Sequence, residues 1–81
     1  MKQTKYKIVE VEWLDAQSGF GNAQYVEELV NEKPIHSFSI GYLLHEEKSH
    51  IVLGFMLFGE DMVKHNQLIP KGMIKKMRYL K

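Results

Sequence analysis

The chain of 81 residues contains no cysteine. Disulfide staples, thiolate zinc centres and cysteine nucleophiles are therefore excluded together, and stability must come from packing or from association. It also lacks any apolar run near the roughly 20 residues that a membrane span needs, and residues 1–5 lead into no signal-type apolar block. A soluble, cytoplasmic protein with no membrane partner is expected. There is no internal repeat and no low-complexity tract. A chain of this length buries only about 60% of the surface its unfolded state exposes, which leaves room for one small domain over residues 1–81. The composition, 44% hydrophobic and 26% charged, is that of an ordinary folded globule.

Charge of one sign is missing from whole segments. Residues 1–7 and 62–81 carry no acid, so all ten acidic residues lie in between, beside only Lys33 and Lys48. The net charge of +1 divides into +3, −8 and +6 along the chain. Basic ends flank an acidic middle, and they make one basic face only if the ends meet in space.

Residues 7–13 alternate, with Val9, Val11 and Trp13 on one side and Ile8, Glu10 and Glu12 on the other, which predicts a half-buried strand. Residues 15–21, with two glycines and several small residues, predict a loop. Tyr25, Val26, Leu29 and Val30 recur on one helical face, so a short helix is expected over residues 22–31, with Asn22 at its start and Pro34 beyond its end. Four strands follow, over residues 36–44, 51–58, 62–69 and 73–80, separated by turns at residues 45–49, 59–61 and 70–72. Residues 36–44 carry an apolar face of His36, Phe38, Ile40, Tyr42 and Leu44. Residues 51–58 are apolar on both faces: Ile51, Leu53, Phe55 and Leu57 on one, Val52, Met56 and Phe58 on the other.

One strand, a loop with a short helix, then four closely spaced strands predict a mainly β, α+β domain. The recipe is that of a small SH3/Sm-like barrel of about five strands with one short helix between strands 1 and 2. Gly41 and Gly54 fall where such barrels bend. A barrel this small cannot cover both faces of residues 51–58. At roughly 25 cal/mol per Å² of apolar area, leaving Val52, Met56 and Phe58 wet forgoes a few kcal/mol, so either the helix face or another chain must cover them.

Four segments together carry a resemblance: residues 11–16 (VEWLDA), 39–44 (SIGYLL), 51–54 (IVLG) and 69–74 (IPKGMI). They resemble a set of small proteins from phages and prophages that share a W-x-D loop, a V-G-Y-L strand, an apolar strand and a terminal I-P-K-x-x-I. The second half is similar to the Sm-like arrangement of an SH3-like barrel. The resemblance implies the barrel fold and a phage-type protein acting in the host cell. Sm-like RNA binders clamp a base with Asp and Asn around the hairpin and Arg-Gly in the later turn. Here the hairpin holds Glu46, Glu47, Lys48, Ser49 and His50, and the turn holds Lys71 and Gly72.

Three kinds of contact surface follow. The loop bounded by Trp13 and Phe20, with Asp15 and Ser18, has the small residues, donors and carboxylate of a recognition loop; the same residues also suit a turn anchored on the core. Met56 and Phe58 offer an apolar contact. Together these suggest a non-catalytic module that sequesters or inhibits a host protein by surface contact, with self-association. The rival is nucleic-acid binding through Lys5, Lys7, Lys71, Lys75, Lys76 and Arg78, and a further alternative is capture of a small nucleotide. No cofactor is expected. His36, His45, His50 and His65 show no H-x-H or H-x-x-x-H spacing, so no metal site is expected. None of Ser37, Ser39 or Ser49 sits in a nucleophile elbow, and Gly19-Phe20-Gly21 is a lone G-x-G, so no enzymatic activity is expected.

Overall fold

The structure is a computed structural model and describes residues 4–16, 23–59 and 61–80. Five strands form one open antiparallel sheet: β1 (Ile8–Asp15), β2 (Ile35–Glu46), β3 (His50–Phe58), β4 (Met62–Pro70) and β5 (Ile74–Leu80). A one-turn helix, α1 (Val26–Leu29), lies between β1 and β2, and a 3₁₀ turn, Lys71–Met73, joins β4 to β5. The strand order is β4-β3-β2-β1-β5, so the first strand sits beside the last and β4 and β5 are the two edges. The fold is thus mainly β with one short helix, as expected. Among the described residues no helix is long and apolar enough to cross a membrane.

The alternation in β1 produces the core directly. Val9, Val11 and Trp13 are buried, and they meet Ile51 and Leu53 of β3 and Ile69 of β4 across the hollow of the bent sheet. Leu43, Met73, Ile74 and Met77 pack around this cluster. Gly41 lies opposite Val9 in the β1–β2 ladder. A Cβ on Gly41 would stand 2.9 Å from the carbonyl oxygen of Gly54 and 3.1 Å from the Phe55 ring, so only glycine lets β2 and β3 come this close.

β2 turns the opposite way from its pattern. Its apolar residues Phe38 and Ile40 are exposed, while Ser37, Ser39 and Gly41 face the hollow. The reason is the indole of Trp13, opposite Ser37 in the ladder: small side chains leave it room, and Ser39 supplies an acceptor. Trp13 Nε1 donates to Ser39 Oγ at 3.0 Å, and Ser39 donates to Gln67 Oε1 at 2.9 Å, linking β1, β2 and β4 through one hydroxyl.

Two further expectations are corrected. Rather than running over residues 22–31, the helix covers four residues, and its apolar face is largely exposed among the described residues: Tyr25, Val26 and Val30 are each more than 70% exposed, and Leu29 is 44% exposed. Tyr25 at its N-cap makes no side-chain cap bond; Asn22 lies outside the described residues. One turn with no packed face cannot offset the cost of helix nucleation over a longer stretch. The second correction concerns β3. Ile51 and Leu53 are fully buried, but Phe55, on the same side, is 40% exposed. The β2–β3 ladder ends at Tyr42 and Gly54, so beyond Gly54 the strand leaves the core.

Candidate functional site

Beyond Gly54, among the described residues, β3 and β4 pair only with each other, through Met56 with Lys64, Leu57 with Val63 and Phe58 with Met62. They form a two-stranded arm over residues 55–59 and 61–64. At its base His65 adopts φ 63°, in the left-handed region, opposite Phe55 where the ladder is interrupted. The arm is apolar and uncovered: Phe55, Met56, Phe58, Met62 and Val63 are 40, 46, 52, 67 and 39% exposed. The expected contact residues Met56 and Phe58 therefore share one face of the ribbon, where Met62, opposite Phe58, joins them, while Val63, opposite Leu57, lies on the other face. Residues 62–69 read in sequence only as one more strand, and the pairing of Met62 with Phe58 and of Val63 with Leu57 is what places these two on the arm.

The divergence of the arm leaves a second open feature. Residues 35–40 of β2 pair with β1 on one side, and among the described residues no strand pairs with them on the other. Residues 55–58 of β3 likewise lack a partner on the side that faced β2. Each chain thus carries both halves of an interrupted ladder, with Phe38 and Ile40 exposed beside one half.

The loop residues do not converge in the same way. Trp13 is 6% exposed and committed to its bond with Ser39, so its indole belongs to the core, not to a contact surface. Asp15 ends β1, half-buried, opposite Ile35. Ser18 and Phe20 lie outside the described residues.

The basic residues are separated. β1 and β5 are neighbours but antiparallel, with Ile8 opposite Leu80 and Glu12 opposite Lys76. Lys5 and Lys7 consequently stand near the end of β5, where Lys7 Nζ is 6.0 Å from the Tyr79 ring centroid. Lys76 sits five positions along the ladder from Lys7, about 17 Å at the strand rise, and Lys75 falls in the bulge between Glu12 and Trp13. Acids are interleaved: Arg78 Nε donates to Glu10 Oε1 at 2.8 Å, and Lys71 Nζ pairs with Glu46 Oε2 at 2.9 Å. Glu10, Glu12, Lys76 and Arg78 line a shallow concavity of about 170 Å³ that balances two acids against two bases. The first and last strands are neighbours, but among the described residues the basic side chains do not merge into one patch, because strand direction carries them apart and β1 places its glutamates between them.

A cluster that histidine spacing did not reveal lies at the β2–β3 turn. Glu47 Oε2 is 2.9 Å from His45 Nε2, and Glu47 Oε1 is 3.4 Å from His50 Nδ1. Ser49 Oγ donates to Glu47 Oε1 at 3.2 Å and lies 2.6 Å from His50 Nδ1. The His45 hydrogen bond and the charge of His50 hold the Glu47 carboxyl below its ordinary value. The signal was present as His45-x-Glu47-x-x-His50 across a predicted tight turn, where a carboxylate rather than a third histidine completes the set.

Comparison with protein-family models, curated proteins and solved structures gives no match. The site's own geometry therefore carries the functional reading.

Proposed function

We propose that this chain is a non-catalytic binding module that self-associates through the arm over residues 55–59 and 61–64. The single observation that carries the reading is that, among the described residues, the arm pairs only with itself while exposing apolar side chains. A two-stranded ribbon is marginally stable alone. Spread over its two faces, its five exposed apolar residues present on the order of 500 Å², against the roughly 800 Å² that each partner buries in a standard interface.

A second copy is the occupant that fits. The unpaired edge of residues 55–58 and the unpaired edge of residues 35–40 occur in every chain, so a two-fold pair satisfies both reciprocally. Phe38 and Ile40 then add to the covered area. In this arrangement the bent sheet acts as an SH3/Sm-like barrel, with the Trp13–Ser39–Gln67 bridge drawing β4 towards β1. The resemblance to small phage proteins supports a role in which the assembled module occupies a surface of a host protein. Nucleic-acid binding is the weaker reading, because Glu10, Glu12 and Glu46 stand among the required cations.

Sedimentation equilibrium tests the proposal. The wild type is expected to sediment as a dimer or larger assembly, and Phe58→Ser with Met62→Ser as a folded monomer. A wild-type protein that stays monomeric at high concentration overturns self-association, and a double variant that still associates overturns the arm as its site.

A further inference from the structure

We propose that His45, Glu47 and His50 form a binding site for one divalent transition-metal ion of the zinc type, presented on the β2–β3 turn. Nothing in the self-association reading depends on this site, and it lies at the opposite end of β3 from the arm.

The first support is convergence. His45 is the penultimate residue of β2, His50 opens β3, and the bond from Glu47 N–H to the His50 carbonyl at 3.0 Å closes the turn between them. One ligand atom from each of the three side chains falls within 4.8 Å of the other two. In a tetrahedral zinc site with metal–ligand bonds of about 2.05 Å, ligand atoms stand about 3.4 Å apart. The Glu47 carboxylate stands 2.9 Å from His45 Nε2 through Oε2 and 3.4 Å from His50 Nδ1 through Oε1, at or inside that edge on each side. Binding thus needs small side-chain rotations rather than a rearrangement of the turn.

The second support is chemistry. Two imidazoles and one carboxylate are a donor set suited to zinc and its neighbours in the first transition series and poorly suited to magnesium or calcium, which prefer oxygen alone. The carboxylate supplies negative charge for the cation. Three protein ligands leave at least one coordination position for water, as in open zinc sites.

The third support is the surrounding shell. Ser49 Oγ donates to the same Glu47 oxygen that faces His50, which orients the carboxylate. The Ser49 backbone is held in turn: its carbonyl accepts from Lys71 N–H at 2.8 Å, and the Lys71 ammonium is engaged by Glu46. That pair engages the ammonium of Lys71, while Lys48 lies within the turn itself. His36 and His65 stand apart from the cluster, His36 being bonded to Glu12, and they serve as internal controls.

Titration of the full chain with ZnCl₂ by calorimetry, and with CoCl₂ by visible absorption, tests the site. One ion per chain is expected, with the intense visible bands of four-coordinate Co²⁺. His45→Ala, His50→Ala and Glu47→Gln should each weaken Zn²⁺ binding at least about tenfold, and Ser49→Ala about tenfold, the range of an orienting partner. His36→Ala and His65→Ala should leave it unchanged. Because the turn is surface-exposed, far-UV circular dichroism should show each variant folded. The proposal is overturned by the absence of saturable Zn²⁺ binding, by one ion per two chains, or by binding that survives His45→Ala and His50→Ala together.

Discussion

Ser39→Ala tests whether the reversed face of β2 is set by the Trp13 indole. The Ser39 hydroxyl is the acceptor for Trp13 Nε1 at 3.0 Å and the donor to Gln67 Oε1 at 2.9 Å. Its removal strands the N–H of an indole that is only 6% exposed, and a buried unsatisfied donor costs about 1–3 kcal/mol. Gln67 is half-buried and can return to water, so it adds little. A loss of about 2 kcal/mol is a large share of the roughly 4–12 kcal/mol that a domain of this length commands. It should lower Tm by about 8–16 °C, at about 4–8 °C per kcal/mol in small domains. Thermal melts followed by far-UV circular dichroism read this, at one fixed protein concentration because association makes Tm concentration-dependent. Trp13→Phe supplies the control, since it removes the donor. In that background Ser39→Ala should cost no more than about 0.5 kcal/mol, a coupling of about 1–2 kcal/mol. Equal losses in both backgrounds, or no loss in the wild type, would refute the hydrogen-bonded role of Ser39.

Ile51 and Ile69 are fully buried and paired across β3 and β4; truncating either to alanine should cost about 2–5 kcal/mol by urea denaturation, and a smaller loss would mean the core lies elsewhere. Gly41→Ala and Gly54→Ala should differ: the new methyl at residue 41 meets the Gly54 carbonyl at 2.9 Å, whereas at residue 54 it meets the movable ends of Leu44 and Val63. Gly41→Ala is therefore expected to cost about 1–3 kcal/mol and Gly54→Ala less, an ordering that the same denaturation curves check. Val26→Ser and Val30→Ser should leave stability within about 0.5 kcal/mol, because α1 has no buried residue; a larger loss would show that its apolar face is covered.

Much of the fold was legible because strands announce themselves by alternation. Val9, Val11 and Trp13 were readable as one face, and the turns at residues 45–49 and 70–72 separated the later strands close to where they end. What pattern alone did not carry was direction: alternation separates two faces of β2 but does not say which one a neighbouring tryptophan needs to be small. The helix was overread for a related reason, since a periodic apolar face extends a helix only when it is buried, and α1 has no buried residue. The two-faced character of residues 51–58 was visible, together with its need for cover. That the strand leaves the core after Gly54 depends on where the β2–β3 ladder stops, a property of the pair rather than of either segment. The same limit hid the His45–Glu47–His50 cluster, which becomes a set only once the turn folds it together.

Amide hydrogen exchange of residues 55–64, followed across protein concentration, tests self-association through the arm most directly. The unpaired amides along β3 in the arm and those on the free side of residues 35–40 should both become protected as concentration rises, in step with the mass of the assembly. The β1–β2 ladder amides should stay protected throughout. If the amides of the arm and of residues 35–40 exchange at the same rate at every concentration, or if protection grows at another edge instead, the arm is not where this protein meets its second copy.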